Sequence, residues 1–343
     1  MVLTKKTPTI QDVARQAKVS AATVSRVLST PEKVSEAARE RVFEAVRQTG
    51  YTINQAARSL RMRAARTILI AIPNIGNPFY STIVDAVIRA ASARGYSVLV
   101  AAHLGEEPTR WLSDYLLSNK ADGLVVFDGS LDTQSLHEVM GAIAMLPLVG
   151  AYDEPLDPQV NSVISDNRAA AVRAVQHLID YGHTRIGHVS GPSRRPVPNE
   201  RLVGFHEAMQ SAGLEIHPEW IIPGTYSMEA GVAAADSLAA LPDRPSAVFC
   251  ANDEMAIGLI SRLREHGIEC PRDISVIGFD DIDVSRYFAP PLTTMRQPRE
   301  EIGRLATDMV IDIIEGAAVG EGPQHIVLTS PLVVRASTAR CHG

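Results

Sequence analysis

Asparagine, aspartate, arginine and aromatic residues recur where short apolar runs of this 343-residue sequence end. They are Asn74, Asn77, Phe79, Tyr80, Asp128, Asp153, Asp166, Arg194, Arg195, Asn252, Asp253, Asp280 and Asp281. Amides and carboxylates accept hydrogen bonds, arginine donates them, and aromatic rings stack on sugar or base faces. This set predicts a pocket for a small, hydroxyl-rich molecule. Asp166 and Asp253 also sit at the start of helical stretches, where capping the helix is an equal alternative.

The sequence lacks the common catalytic motifs. It has no Gly-x-x-x-x-Gly-Lys-Ser/Thr phosphate loop, no Gly-x-Ser-x-Gly nucleophile turn and no His-Glu-x-x-His zinc motif. His177, His183 and His188 do not share one helix face, so we interpret them as structural or surface residues. The three cysteines are scattered and lack metal-ligand spacing. We therefore expect no enzymatic activity, no cofactor and no bound metal.

Helical periodicity near the N-terminus predicts two short helices joined by a tight turn. Residues 9–17 have apolar side chains at helical spacing, with Thr9 as a suitable N-cap. Lys18 to Ser20 interrupts the pattern, and Ser20 can cap a second helix over residues 21–28. A third helix is expected from Glu36 to Gln48, with Gly50 just beyond its end. This order is typical of a helix-turn-helix unit.

The second helix carries side chains that such a unit presents to duplex DNA. Ala21 and Ala22 can contact thymine methyl groups, and Arg26 can donate two hydrogen bonds to guanine. The other DNA contacts predicted here are Thr9, Ser20, Thr23 and Ser25. The alternative is a helical hairpin that serves packing alone.

The charge distribution favours binding of a polyanion by the N-terminal segment. Residues 1–66 contain 13 Lys/Arg and 5 Asp/Glu, whereas the remainder contains 20 and 34. The net charge of −6 therefore divides into +8 for the head and −14 for the body. The positive charges are interleaved with helical apolar residues, which argues against a solvated basic tail.

The rest of the chain alternates short β-branched runs with amphipathic stretches. Strands are predicted at Thr67–Ile72, Ser97–Ala102, Gly123–Phe127, Arg185–Val189, Ala247–Ala251 and Ser275–Phe279. Helices are predicted at Phe79–Arg94, Asn167–Tyr181, Arg201–Ala212, Met228–Leu241 and Asp253–His266. The rhythm recurs in two halves, which predicts two similar parallel-sheet subdomains facing a cleft. Ligands of such sheets bind beyond the carboxyl ends of the strands.

Ordered motifs along the whole chain resemble the LacI/GalR family of bacterial repressors. In the head these are Thr9-Ile10-Gln11-Asp12-Val13-Ala14, Val19-Ser20-x-x-Thr23-Val24-Ser25-Arg26-Val27-Leu28 and Gly50-Tyr51. In the body they are Gly182-His183-x-x-Ile186, Arg201-x-x-Gly204-Phe205, Ala251-Asn252-Asp253, Gly278-Phe279-Asp280-Asp281 and Leu292-Thr293-Thr294-Met295-x-Gln297-Pro298. Lys18 departs from the glycine common in the family's turn.

The resemblance implies a small all-α helix-turn-helix head and an α/β, periplasmic-binding-protein-like body of two doubly wound parallel-sheet subdomains. The head would span 1–53, a hinge helix and linker 54–66, and the effector and dimerisation domain 67–343. The N-subdomain would comprise about 67–166 and 297–326, and the C-subdomain about 167–296 and 327–343.

A short hinge segment follows the head. Eight residues, Asn54 to Arg61, are too few for a stable isolated helix, so we expect them to fold only against a partner. In the family this hinge helix pairs with its twin over the minor groove, and a leucine at the position of Leu60 wedges between base pairs. The predicted hinge contacts with DNA are Asn54, Ala57, Arg58, Leu60 and Arg61. A plain linker is the alternative.

The resemblance also assigns roles to pocket residues. Phe79 and Tyr80 would wall the pocket, Tyr226 would stack on the effector, and Arg201 and Asp280 would hydrogen-bond it. The complete predicted set is Asn77, Phe79, Tyr80, Asp128, Asp153, Arg195, Arg201, Tyr226, Asn252, Asp253 and Asp280. Val197 stands where a purine-responsive relative has a polar contact, whereas Lys18 and two strand motifs resemble the cytidine-responsive branch. We expect a nucleoside or small sugar.

These observations predict a ligand-responsive, DNA-binding repressor. It would bind a pseudo-palindromic operator as a homodimer. The C-terminal residues carry no leucine heptad, so we expect no coiled-coil tetramer tail. The sequence shows neither a signal peptide nor a long apolar stretch, so we expect a cytoplasmic protein without membrane association. The alternatives are a periplasmic-type solute-binding protein and, third, an enzyme acting through Asp280 or Asp253.

Overall fold

The computed structural model describes residues 8–51, 64–102, 108–118, 120–127, 138, 141, 146–151, 158–192, 199–317 and 322–341. The chain divides into two compact units, Met1–Ala65 and Arg66–Gly343.

The first unit contains three helices around a small apolar core. They are α1 (Ile10–Ala17), α2 (Ala21–Ser29) and α3 (Glu36–Thr49). Their buried side chains are Val13, Ala14, Ala17, Val24, Val27, Val42 and Ala45. The apolar positions recur every three to four residues, so each helix turns one stripe inward. The three predicted helices are confirmed.

The second unit contains twelve strands and seven helices within the described residues. The strands are β1 (Thr67–Ile72), β2 (Ser97–Ala102), β3 (Gly123–Val126), β4 (Leu148–Gly150), β5 (Asn161–Ser165), β6 (Ile186–Ser190), β7 (Ile221–Pro223), β8 (Ala247–Cys250), β9 (Ser275–Asp280), β10 (Thr293–Arg296), β11 (His325–Leu328) and β12 (Leu332–Val333). The helices are α4 (Pro78–Ala93), α5 (Pro108–Leu117), α6 (Asn167–Asp180), α7 (Glu200–Ser211), α8 (Met228–Ala239), α9 (Asp253–Glu265) and α10 (Arg299–Ile314). Short 3-10 turns lie at Pro218–Trp220 and Asp283–Arg286 in this unit and at Pro31–Lys33 in the first unit.

The strands form two six-stranded sheets with matching strand order. The first sheet runs β11-β5-β4-β3-β1-β2 and the second runs β12-β10-β9-β8-β6-β7. All pairings are parallel except that of β10 with β12. In each sheet the strand order reverses beside the first strand, between β1 and β3 and between β6 and β8. Such a reversal opens a crevice at the carboxyl ends of the strands.

Helices cover both faces of each sheet. In the first lobe, α4 and α10 bury one face through residues such as Ile83, Val87 and Val310, while α5 covers the other through Leu112. In the second lobe, α8 and α9 pack on one face and α6 and α7 on the other. Burial on both faces explains why the central strands are continuous apolar runs.

The chain passes between the two lobes three times. The crossings follow Ser165, Arg296 and Leu328, because β11 joins the first sheet and β12 the second. The side chain of Arg299, at the start of α10, also bridges the lobes. It donates to Thr82 Oγ1 at 3.0 Å and to the backbone oxygen of Asp281 at 2.8 Å.

All six strands predicted in the body are present, with ends that differ by at most one residue. Strands β4, β5, β7 and β10 to β12 were absent from the prediction. Three of them, β4, β7 and β12, have only two or three residues, so periodicity has too few positions to indicate a strand.

Candidate DNA-binding and effector-binding sites

The helix-turn-helix geometry is fixed by caps at its turn. Lys18 takes a left-handed conformation (φ 53°) that ends α1, although it is not glycine. Ser20 caps α2 by accepting a hydrogen bond from the Thr23 backbone nitrogen at 3.1 Å. At the start of α1, the backbone nitrogen and hydroxyl of Thr9 both donate to the Asp12 carboxylate, at 2.9 and 2.7 Å. These local bonds set the angle at which α2 leaves the core.

The outer surface of α2 carries the residues predicted to read DNA. Ala22 and Arg26 are exposed and Ala21 is partly exposed, whereas Val24 and Val27 are buried. One face of α2 is therefore committed to the core and the other is open for the major groove. Ser20 and Thr9 are exposed, and Thr23 and Ser25 are partly exposed. The predicted hinge residues Asn54, Ala57, Arg58, Leu60 and Arg61 lie outside the described residues.

A cleft opens where the strands of the two lobes end. Its main cavity has a volume of about 380 Å³. A smaller extension of about 70 Å³ shares Asn77, Tyr80, Arg201 and Tyr226 with it. The first lobe contributes residues after β1, and the second contributes residues after β6, β8 and β9. This position is the one expected from the reversed strand order.

Aromatic side chains of α4 line the first-lobe wall. The rings of Phe79 and Tyr80 pack edge to face with centroids 5.1 Å apart. Asn77 caps α4, since its side chain accepts a hydrogen bond from the Phe79 backbone nitrogen at 2.8 Å. The cap fixes the first turn of α4, which carries both rings. All three residues line the smaller extension of the cavity.

An arginine held by several elements occupies the second-lobe wall. Arg201 is buried, and its Nε donates to the Asn167 side-chain oxygen at 2.9 Å while Nη1 donates to the Ala251 carbonyl. Its guanidinium lies 3.9 Å from the centre of the Phe279 ring and 3.5 Å from the Asp280 carboxylate. A planar cation fixed in this way can present donors to a ligand without reorganising.

Three lining or adjacent residues adopt positive φ without being glycine. They are Tyr226 (φ 63°), Asp280 (φ 115°) and Asp281 (φ 55°). Asp281 is clamped by Arg296 and Arg335, each at 2.6 Å. Backbone strain of this kind concentrates at ligand sites, where surrounding bonds enforce it. Gly191 permits the inward position of Tyr226, because a Cβ at 191 would overlap the tyrosine hydroxyl.

The structure corrects the interpretation of Asp253. Asn252, not Asp253, caps α9 by accepting from the Met255 backbone nitrogen at 3.0 Å. Asp253 is fully buried beneath the cleft and accepts from Thr294 Oγ1, Ser285 Oγ and the Ile282 nitrogen at 2.6–2.9 Å. It does not line the cavities. Burial, followed by the nearby Asp280 charge, raises the pKa of Asp253 to about 7. Of the two alternatives for Asp166, the structure shows the cap: its side chain accepts from the Ala169 nitrogen at the start of α6, at 3.0 Å.

The predicted pocket residues therefore fall into three groups. Asn77, Phe79, Tyr80, Arg201, Tyr226, Asn252 and Asp280 line the cavities. Asp253 lies inside the second lobe. Asp128, Asp153 and Arg195 lie outside the described residues.

Several lining residues were missed by sequence reasoning. They are Asn167, Asn199, Glu200, Thr225, Glu229, Glu254 and Gln297. Six of these residues lie in the first turn of a helix or just before it. The start of a helix after a strand is therefore a sequence signal that could have indicated them. Glu254 differs from the others because burial, followed by the charges of Asp280 and Glu229, raises the pKa of its carboxyl to about 7.

The three histidines are structural. His177 and His183 bond Thr338 and Ser246, at 3.0 and 2.9 Å. His188 is fully buried between the rings of Phe205 and Phe249, and burial lowers its pKa to about 3. In the part of the chain described, no cluster of three or more His, Cys, Asp or Glu residues is arranged to hold a metal. None of the described helices is long and apolar enough to cross a membrane.

Comparisons with known proteins identify the family. Residues 9–54 match the bacterial regulatory proteins of the lacI family, and residues 175–338 match the periplasmic binding protein-like domain. The chain is 38% identical over 338 residues to the transcriptional repressor CytR of Escherichia coli K12, covering 96% of each protein. The chain belongs to the lacI family. It is accordingly a DNA-binding transcriptional repressor and not an enzyme.

Further relatives agree with this assignment. The repressor PurR of Vibrio vulnificus is 38% identical over 308 residues, covering 90% of this chain and 92% of PurR. The lac repressor dimer bound to operator and an anti-inducer superposes with a TM-score of 0.84 at 29% identity, over 97% of this chain and all of that one. A CelR–cellobiose complex gives 0.72 at 33% identity, over 96% and 99%. The predicted helix-turn-helix head and periplasmic-binding-protein-like body are confirmed for this lacI-family protein.

Proposed function

We propose that this repressor binds a pseudo-palindromic operator as a homodimer and responds to a nucleoside or small sugar held in the cleft. The observation that supports effector binding is the cleft, where Arg201 and Asp280 lie opposite the aromatic wall of Tyr80. Arg201 and Asp280 supply hydrogen-bond donors and acceptors, and the Tyr80 ring supplies a stacking surface. Together they suit a ligand with a polar ring. The operator complex of the similar lac repressor dimer and the cellobiose complex of the similar CelR support the proposal.

The charge of the cleft favours an uncharged ligand. Among the described lining residues, Glu200, Glu229, Glu254 and Asp280 are acidic, and Arg201 is basic. An anionic group entering this cleft meets an excess of negative charge at low dielectric. A nucleoside or free sugar therefore fits better than its phosphate ester.

Allosteric control follows from the two-lobe architecture. A ligand that bonds both lobes stabilises one relative orientation of them, and the three crossings let the lobes rotate. In this proposal the body (67–343) passes that rotation to the hinge (54–66), whose pairing over DNA holds the two heads (1–53) on their half-sites. Operator affinity then changes by the ratio of ligand affinities for the two orientations. The site of action is the cytoplasm, where the chromosome lies.

The test combines operator selection with ligand screening. An operator is selected from random duplexes, and thermal unfolding is followed with D-ribose, D-glucose, cellobiose, cytidine and adenosine, since a native-state ligand raises stability. We expect one of these compounds to raise the melting temperature and to change operator affinity. Absence of salt-sensitive preference for any duplex, with or without these compounds, overturns the proposal.

Arg26→Ala is expected to relax base preference at one position in each half-site. The loss of a bidentate contact to guanine corresponds to about 1–3 kcal/mol. Binding to a library of single-base operator variants measures it. Arg47→Ala, which removes an exposed arginine paired with Glu44 on α3, is the control and keeps the parent's base preferences. An unchanged preference profile in Arg26→Ala contradicts the assignment.

Leu60→Ala is expected to weaken operator binding by about 1–3 kcal/mol while leaving effector affinity unchanged. The wedge's contacts to a kinked duplex would be lost, whereas the cleft belongs to the body. Fluorescence anisotropy on the selected operator measures operator affinity, and calorimetry with the effector measures effector affinity. Operator binding equal to that of the parent rules out the wedge.

A further inference from the structure

Within the described part of the chain, Glu254 is an acidic residue of the cleft whose carboxylate has no hydrogen-bond or ion-pair partner. Glu254, the second residue of α9, is partly buried and lines the main cavity. Among the residues described by the structure, none forms a hydrogen bond or ion pair with its carboxylate. Arg201 and Asp280 are 3.5 Å apart, and Asp253 is saturated by three donors. Glu254 is thus a carboxylate in the lining of the main cavity with unused capacity to accept hydrogen bonds.

The surroundings of Glu254 disfavour its charged form. Asp253 precedes it on α9. The charges of Asp280, at the end of β9, and Glu229, on α8, act on it, and Glu200 and Arg201, at the start of α7, line the same cavity. Among the described groups, four carboxylates and one guanidinium give the surroundings of Glu254 an excess of negative charge. An unpartnered carboxyl here is unfavourable for folding, and a ligand that supplies donors removes that cost.

We propose that Glu254 determines effector specificity by accepting hydrogen bonds from two adjacent hydroxyl groups, and that ligand binding releases a proton from the cleft. This inference rests on the proposed function of the cleft. The two carboxylate oxygens match a pair of neighbouring hydroxyl donors, and the tyrosines at 80 and 226 provide rings for the face of the same sugar. The neutral carboxylic acid is a poorer acceptor for such a pair.

The pH dependence follows with a definite sign. In the free protein the pKa of Glu254 is about 7, well above its ordinary value of 4.5. Hydroxyl donors stabilise the ionised form of Glu254, so its pKa falls in the complex. Effector binding is therefore tighter at higher pH. Between pH 8 and pH 6 the ionised fraction of a group with a pKa of about 7 falls about ten-fold. Effector affinity is expected to fall by the same factor.

The experiment is calorimetry of the full-length protein with cytidine, 2′-deoxycytidine and D-ribose at pH 6 and pH 8. We expect cytidine or D-ribose to bind about ten-fold more tightly at pH 8. Glu254→Gln should bind about ten-fold more weakly than the parent at pH 8 and lose the pH dependence. Removing one hydroxyl, in 2′-deoxycytidine, should weaken binding to the parent but much less to Glu254→Gln. Binding of D-ribose as tight as that of cytidine identifies a free pentose as the ligand, and binding of cytidine alone identifies a nucleoside.

Glu265→Gln is the matched control. Glu265 ends the same helix, is exposed and pairs with Arg262, so this variant keeps the ten-fold pH dependence. Thermal unfolding verifies that both variants fold. Equal affinity at the two pH values, or parental affinity in Glu254→Gln, overturns the inference while the proposed function stands. Failure of all three compounds to bind a protein that still selects an operator overturns the assignment of a hydroxyl pair. Loss of operator selection overturns the proposed function instead.

Discussion

Arg201→Ala is expected to abolish the response to effector while operator binding in its absence is kept. Charge-assisted hydrogen bonds from this guanidinium to a ligand are each worth about 1.5–3 kcal/mol, so losing two of them weakens effector binding about a hundred-fold or more. The head is a separate compact unit and does not depend on this side chain for its fold. Calorimetry with the effector and anisotropy on the operator measure the two activities.

Two further variants make the Arg201 result interpretable. Arg201→Lys keeps the positive charge near Asp280 but lacks the planar fork, so it should fold and still lose most effector affinity. Arg168→Ala, which removes an exposed arginine paired with Glu207, should behave as the parent does. Unchanged ligand affinity in a folded Arg201→Lys protein removes Arg201 from the site.

Asp253→Ala is expected to destabilise the body by about 3–5 kcal/mol. The substitution leaves the Thr294 and Ser285 hydroxyls and the Ile282 nitrogen without their acceptor, and each unsatisfied buried donor costs about 1–3 kcal/mol. For a domain of this size the melting temperature should fall by about 10 °C. Thermal and denaturant unfolding of the full-length protein measure the change.

The control for Asp253 is an exposed aspartate with one ionic partner. Asp243 pairs with Arg185 at 2.7 Å, and both side chains are more than half exposed. Asp243→Ala should therefore change stability by less than about 1 kcal/mol. If Asp253→Ala has the same melting temperature and denaturant midpoint as the parent, the three hydrogen bonds do not contribute to stability as the geometry indicates.

The local sequence did not decide the roles of Asp253 and Asn252. Both residues follow a strand and stand at the start of a helix, and the local pattern left Asp253 open as a helix cap or as a ligand contact. The structure gives the cap to Asn252 and turns Asp253 inward. Gly278 leaves room for that carboxylate, because a Cβ at 278 would overlap it. The decision therefore lies with a residue 25 positions away.

The sequence by itself determined the local elements and the kind of site. Periodicity and caps predicted all three head helices and six of the twelve described body strands, since these depend on neighbours within a few residues. It also indicated that polar and aromatic groups gather at strand ends. Only the tertiary structure decided which carboxyl lines the cleft and which lies beneath it. The surroundings of Asp253, Glu254 and Asp280 are set by burial and by charges from distant elements, which local patterns do not encode.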